Sequence, residues 1–282
     1  METAGLIAWA FGIALVYMTC VWLLSLVRRN ASIVDSFWGP GFLVLAATAP
    51  FLANGWSWRA LLVLALVSIW AARLATHITM RNWEKGEDWR YRKWRDDAPA
   101  SFWWRSYFKV FALQGVLLVA VASPILAVAA SSRAIGATAL DVAGCAVWLF
   151  GLLYETIADL HLARFKRDPA NRGRVLDRGL WRTSRHPNYF GEAVVWWGLF
   201  LIALSMPTGY WAIVGPATIT FLLVRVSGVR MLEKGLRERK PEYADYVRRT
   251  SPFVPWPRRR VRRLEPARRA GDNGSPKDKE GP

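Results

Sequence analysis

The sequence predicts an all-α protein, a polytopic transmembrane bundle of about seven spans, and three observations predict it. Its 282 residues are 53% hydrophobic and include 17 Trp, with a mean hydropathy of +0.15. That much apolar and aromatic side chain excludes a disordered chain, which would leave it in water. The apolar residues gather into runs close to the about 20 residues that a helix needs to cross a hydrocarbon layer about 30 Å thick. The formal charge of +17 falls mostly in alternate loops between those runs. A disulfide scaffold is excluded as well, because Cys20 and Cys145 are the only cysteines and both lie inside apolar runs. No metal site is expected.

The first span, 4–27, is too long for a signal sequence and lacks a small-residue cleavage pattern, so it is read as a membrane helix. Span two, 37–54, is short, and span three covers 58–80. Span four, 106–130, is interrupted by Pro124, and span five covers 138–160. Span six, 190–205, is short again, and span seven, 210–228, contains Pro216. Hydropathy alone therefore leaves six or seven crossings, and charge decides between them. Lys and Arg of short loops stay on the cytoplasmic side. Basic residues follow span one at Arg28 and Arg29, span three from Arg81 to Lys109, span five from Arg164 to Arg185, and span seven in the tail. The opposite loops carry little beyond Arg59 and Arg133. An odd count, with the N-terminus outside and the C-terminus cytoplasmic, preserves that alternation.

The domain organisation expected is one transmembrane domain over 1–256 and a basic, disordered cytoplasmic tail over 257–282. The charge is read as topology and as attraction to anionic lipid headgroups, with no nucleic-acid partner.

Chemistry concentrates where span five leaves the membrane. Glu155 and Asp159 stand one helical turn apart and Lys166 shares their face. Two carboxylates near the end of an apolar helix are costly unless they face a protein interior or a wet cavity. Downstream, Arg164, Arg174, Arg178 and Arg185 alternate with Gly173, Gly179, Pro169 and Pro187. Guanidinium forks grip phosphate oxygens in pairs, and glycines let backbone N–H groups approach the same anion. A polyanionic cofactor fits this basic, carboxylate-lined crevice between spans five, six and seven. An ion-pair cluster that only holds the loop against the bundle is the plain structural alternative. Neither a P-loop nor a dinucleotide fingerprint occurs.

The run 180–192, with Arg185-His186-Pro187-Asn188-Tyr189 and then Gly191-Glu192 at its end, resembles the bacterial branch of the steroid 5-alpha-reductase-like membrane proteins, grouped as a domain of unknown function, DUF1295. The runs 30–39, 91–95, 169–181 and 226–234 support the resemblance, which covers about 10–256. It implies a seven-span helical enzyme of the bacterial inner membrane that holds NADPH at its cytoplasmic end. Such an enzyme reduces an activated carbon–carbon double bond of a lipophilic substrate. Carried over by position, the family's cofactor contacts fall on Glu155, Asp159, Lys166, Arg174, Asn188, Arg225 and Glu233. Arg164, Arg178 and Arg185 add charge for the phosphates. His186, Tyr189 and Glu192 complete the implied cofactor set.

Steroid reductases grip the substrate carbonyl with a Glu on span two and a Tyr on span three. The nearest positions here offer Asp35 at the mouth of span two, and Arg73, His77 and Arg81 on span three, with no Tyr. Those three recur at i, i+4 and i+8, one stripe of a helix, and Arg73 lies deep enough to need a partner or a cavity. Imidazole titrates near neutrality, so His77 is the expected proton donor, coupled to Asp35 across spans two and three. Isoprenylcysteine carboxyl methyltransferases share the Arg-His-Pro-x-Tyr motif, which makes an S-adenosylmethionine-dependent methyltransferase the rival enzyme. That cofactor carries no phosphate for the Arg-rich run to bind. A lipid-binding protein without catalysis is the third class.

Overall fold

The computed structural model describes residues 3–53, 55–83, 85–131, 136–226 and 242–258. Its elements are α1 (Thr3–Val27), α2 (Ile33–Leu52), α3 (Trp58–Asn82), α4 (Trp89–Asp97), α5 (Phe102–Val121), α6 (Ser123–Ala130), α7 (Ala139–Arg167), α8 (Pro187–Leu204), α9 (Gly209–Val226) and α10 (Tyr243–Arg249). Among the described residues there is no strand, only an isolated bridge between Ser184 and Ser251. The chain is an all-α bundle. Six helices, α1, α2, α3, α5, α7 and α9, are long and apolar enough to cross a membrane.

The helices are apolar on their outer faces as well as in the core. On α1 the buried positions Leu6, Ala10, Ala14, Met18, Val21 and Ser25 recur every three or four residues, while Val16, Leu23 and Val27 stand exposed. Small residues on the inward face let helices approach, and large apolar ones face lipid. Gly39 of α2 shows this closeness: a Cβ there would come within 3.1 Å of the Ala71 carbonyl oxygen on α3.

Two spans differ from their sequence expectation. The run 106–130 is not one helix, because the chain bends at Ala122 and restarts as α6 with Pro124 in its first turn, where a missing N–H is tolerated. All of α6 except Ala130 is buried against protein. The run 190–205 begins earlier, at Pro187, and α8 is not among the six, because Asn188 and Glu192 in its first turns lower its mean hydropathy. It lies antiparallel along α7. Asn188 meets Asp159 at one end, Ser205 meets Asp141 at the other, and Gly144, Gly151, Gly191 and Gly198 form the seam between them. At three of these contacts, an added Cβ would fall 2.5 to 2.6 Å from backbone nitrogen of the facing helix.

Two polar ends result. At one, Arg59 and Asp141 form a buried pair at 2.8 Å, inside the Thr138 and Asp141 capping box that starts α7. At the other lie the loops rich in Arg and Lys. Glu87 accepts from Arg95 Nε and Nη2 and from the Ala31 backbone N–H at 2.7 Å, and the Asp88 N–H donates to Ser32 Oγ, tying the first two loops at this end together. Tyr246 of α10 donates to the Trp181 carbonyl at 2.5 Å, and Arg258 pairs with Asp177 at 2.8 Å, tying the last two.

Candidate functional site

α7 is about 44 Å long at about 1.5 Å per residue, and its last turns carry Arg164, Lys166 and Arg167. On its inward face Glu155 is fully buried and Asp159 nearly so. Both are met by Arg73 of α3, which donates Nη1 to Glu155 and Nη2 to Asp159. Arg73, assigned from sequence to catalysis, and the two carboxylates, assigned to cofactor binding, are thus one cluster. Asn188 of α8 donates Nδ2 to Asp159 Oδ1 at 3.1 Å, and His77 Nε2 lies 3.6 Å from Asp159 Oδ2. Glu192 is buried within electrostatic reach of Glu155 and Arg73. Among the described residues Glu155 Oε2 is buried without a hydrogen-bond donor.

Among the described residues no ion pair joins His77 to Asp35. The carboxylate beside His77 belongs to α7, whereas Asp35, half-buried in the first turn of α2, faces the charges of Arg90, Arg81 and Asp88. Outside the spans, burial works against ionisation of Asp88, but the Arg90 hydrogen bonds outweigh it and hold that carboxyl below its ordinary range.

A feature that residue-by-residue reading missed is the floor of the cluster. Phe42, Trp70 and Trp196 are fully buried and mutually packed, with ring centroids 4.6 to 5.7 Å apart. Trp70 precedes Arg73 by one turn and Trp196 follows Glu192 by one turn, so helical spacing was the signal available.

The remaining expected residues separate. Arg185 is buried and donates Nη1 to the carbonyls of Val247 at 3.0 Å and Thr250 at 2.7 Å, closing the end of α10. Its assignment to cofactor phosphates is corrected: that nitrogen is held inside the protein. His186 is buried and stacks on Tyr189 with ring centroids 5.5 Å apart. Lys166 is exposed on the cluster's side of α7, within electrostatic reach of His77, and Arg81 is exposed beyond His77. Arg174 is exposed in the loop after α7, and Arg225 is exposed on the last turn of α9. Arg164 and Arg178 line a groove of about 340 Å³ with His161 and Phe165, and helical spacing puts Arg164 on the face of α7 opposite Glu155 and Asp159. Glu233 and most of the tail lie outside the described residues.

Fold and site together define a multi-pass helical membrane protein with a buried ionic cluster at its basic end. Residues 21–250 match the family described as protein of unknown function (DUF1295), and the chain belongs to that family. It is also similar to an uncharacterised protein of the yeast Schizosaccharomyces pombe, 28% identical over an alignment that covers 83% of this chain and 75% of the relative. No solved structure matches.

Proposed function

We propose that the chain is an integral membrane oxidoreductase that uses NADPH to reduce an activated carbon–carbon double bond of a lipophilic substrate, as the likeness to steroid 5-alpha-reductases suggests. The observation that carries the reading is the Arg73 cluster: fixed charges at the end of a lipid-embedded bundle, with an unmatched buried acceptor and an imidazole beside it. The residues fit the cofactor. Glu155 Oε2 suits a carboxamide or ribose donor, Lys166 and Arg81 beside His77 supply positive charge for phosphates, and exposed Arg174 in the following loop is a further candidate.

When bound, NADPH supplies a hydride for the electrophilic carbon. The protein's part is positional and electrostatic. Arg73 fixes Glu155 and Asp159, Asn188 fixes the second oxygen of Asp159, and Asp159 lies beside His77. His77 then presents a proton where oxyanion charge develops on the substrate carbonyl. The Phe42, Trp70 and Trp196 floor keeps water from beneath the cluster.

A second reading rests on the carboxylates. Glu155, Asp159 and Glu192 outnumber the one guanidinium among them, which also suits the cationic sulfonium of S-adenosylmethionine in a methyltransferase. Thermal unfolding of the detergent-solubilised protein with NADPH, NADH or S-adenosylmethionine decides, because a ligand selective for the folded state raises Tm. NADPH is expected to raise it. A rise with S-adenosylmethionine alone makes the methyltransferase reading the correct one, and no rise with any of them leaves lipid binding without catalysis. Residence in a bacterial inner membrane belongs to the first reading, and fractionation of the producing cells tests it.

A further inference from the structure

We infer that the outer face of α7 is a binding site for one anionic phospholipid, distinct from the Arg73 cluster. At about 100° per residue, Glu155 and Asp159 point one way and Leu153, Ile157, Leu160 and Arg164 the opposite way. Leu153 is 51%, Ile157 44% and Leu160 48% exposed, an uncovered apolar stripe that ends on a guanidinium. From Leu153 to Arg164 the rise is about 16 Å, which matches the about 15 Å of one hydrocarbon leaflet.

Where the stripe ends, Arg164, His161, Phe165 and Arg178 line the groove of about 340 Å³. The Arg178 guanidinium stands over the Phe165 ring, 5.9 Å from its centroid. Gly179 closes the groove in a left-handed conformation, φ +58°, where a Cβ would sit 3.1 Å from His161 Nδ1. The one carboxylate of the lining, Asp168, is turned into its own loop: it accepts from the Ala170 N–H at 2.9 Å and from Asn171 Nδ2 at 3.1 Å. Two guanidinium forks therefore face the groove, and such forks take phosphate oxygens in pairs. The apolar stripe leading into it selects a phosphate that carries acyl chains over a free one. A choline or ethanolamine headgroup would add positive charge beside both arginines, so an uncharged headgroup such as glycerol is favoured.

Native mass spectrometry of the full chain, released from micelles containing equimolar dioleoylphosphatidylglycerol and dioleoylphosphatidylcholine, tests the site. Retention of phosphatidylglycerol over phosphatidylcholine is expected. Arg164→Gln with Arg178→Gln should cut that retention by roughly tenfold, the loss of a charge-assisted bond. Arg105→Gln with Lys109→Gln, on α5, should leave it unchanged. Equal retention of both lipids by the wild type, undiminished retention in the Arg164 and Arg178 double variant, or the same loss from the α5 pair would overturn the inference. So would displacement of the lipid by inorganic phosphate. Should the double variant fail to fold, the wild-type comparison and Arg178→Gln alone still decide. NADPH-induced stabilisation persisting in Arg178→Gln would separate this site from the cofactor reading.

Discussion

Arg73 on α3 reaches across to Asp159 on α7 with one guanidinium nitrogen while the other holds Glu155, so a single cation neutralises charge on two carboxylates buried at the basic end of the bundle. Removing one partner of a buried pair leaves uncompensated charge, which costs about 3–5 kcal/mol. Arg73→Met is therefore expected to lower unfolding free energy in detergent by that order. Adding Glu155→Gln and Asp159→Asn should recover much of the loss. A stability unchanged by Arg73→Met would contradict the cluster.

His77 and Asp159 are neighbours, and among the described residues no ion pair joins His77 to Asp35. Combining His77→Gln with Asp159→Asn should give a non-additive change in stability, with a coupling of roughly 0.5–3 kcal/mol. His77→Gln with Asp35→Asn should be additive within about 0.5 kcal/mol. The reverse pattern would restore the pairing expected from sequence.

The seam between α7 and α8 has no room for a methyl group. Gly151→Ala would bring Cβ to 2.6 Å from the Val195 nitrogen, and Gly191→Ala to 2.5 Å from that of Glu155. Overpacking of this kind costs about 1–3 kcal/mol. On α1, a Cβ at Gly12 meets nothing within 4 Å, so Gly12→Ala should be neutral or stabilising by up to about 1 kcal/mol. Thermal unfolding of the three variants ranks them.

The Asp88 carboxyl is held below its ordinary value of 3.8 by Arg90. A depressed folded value means that the stabilisation is present above the unfolded value and is lost as pH falls through the folded one. Its contribution should fade below about pH 4. Asp88→Asn should remove that part of the acid sensitivity, and unfolding curves of both proteins between neutral and acid pH measure it.

The connections 28–32, 85–101 (with α4) and 168–186 lie at one end of the bundle, opposite Arg59 and Asp141. Basic loops stay cytoplasmic, and α8 lies along α7 from Asp159 to Asp141, the placement on which we base the expectation of a further crossing. We expect seven crossings with the N-terminus outside and the C-terminus in the cytoplasm. Alkaline phosphatase fused to the C-terminus should be inactive in a bacterial host, and fused after residue 136 it should be active. The opposite pair of activities would invert the topology.

Much of this was legible in the sequence, for identifiable reasons. Apolar run lengths located α1, α2, α3, α7 and α9, because in lipid each backbone polar group must be satisfied within its own helix. Helical spacing put Glu155 and Asp159 on one face, and their charge required that face to look inward. The depth of Arg73 required a partner. Pro124 marked the break before α6, though not that the second half would be buried.

What the sequence by itself determined is therefore a set of one-helix properties: length, inward face, and which charges need neutralising. Only the tertiary structure decided which helices supply the neutralising groups. It joined Arg73 to two carboxylates more than eighty residues away, gave His77 to Asp159 instead of Asp35, committed Arg185 to carbonyls of α10, and turned Arg164 away from the cluster. The physical reason is that periodicity fixes side chains relative to their own helix axis. Which axes then lie together depends on close approach at residues such as Gly39, Gly151 and Gly191, a property of pairs of helices that no single run of sequence contains.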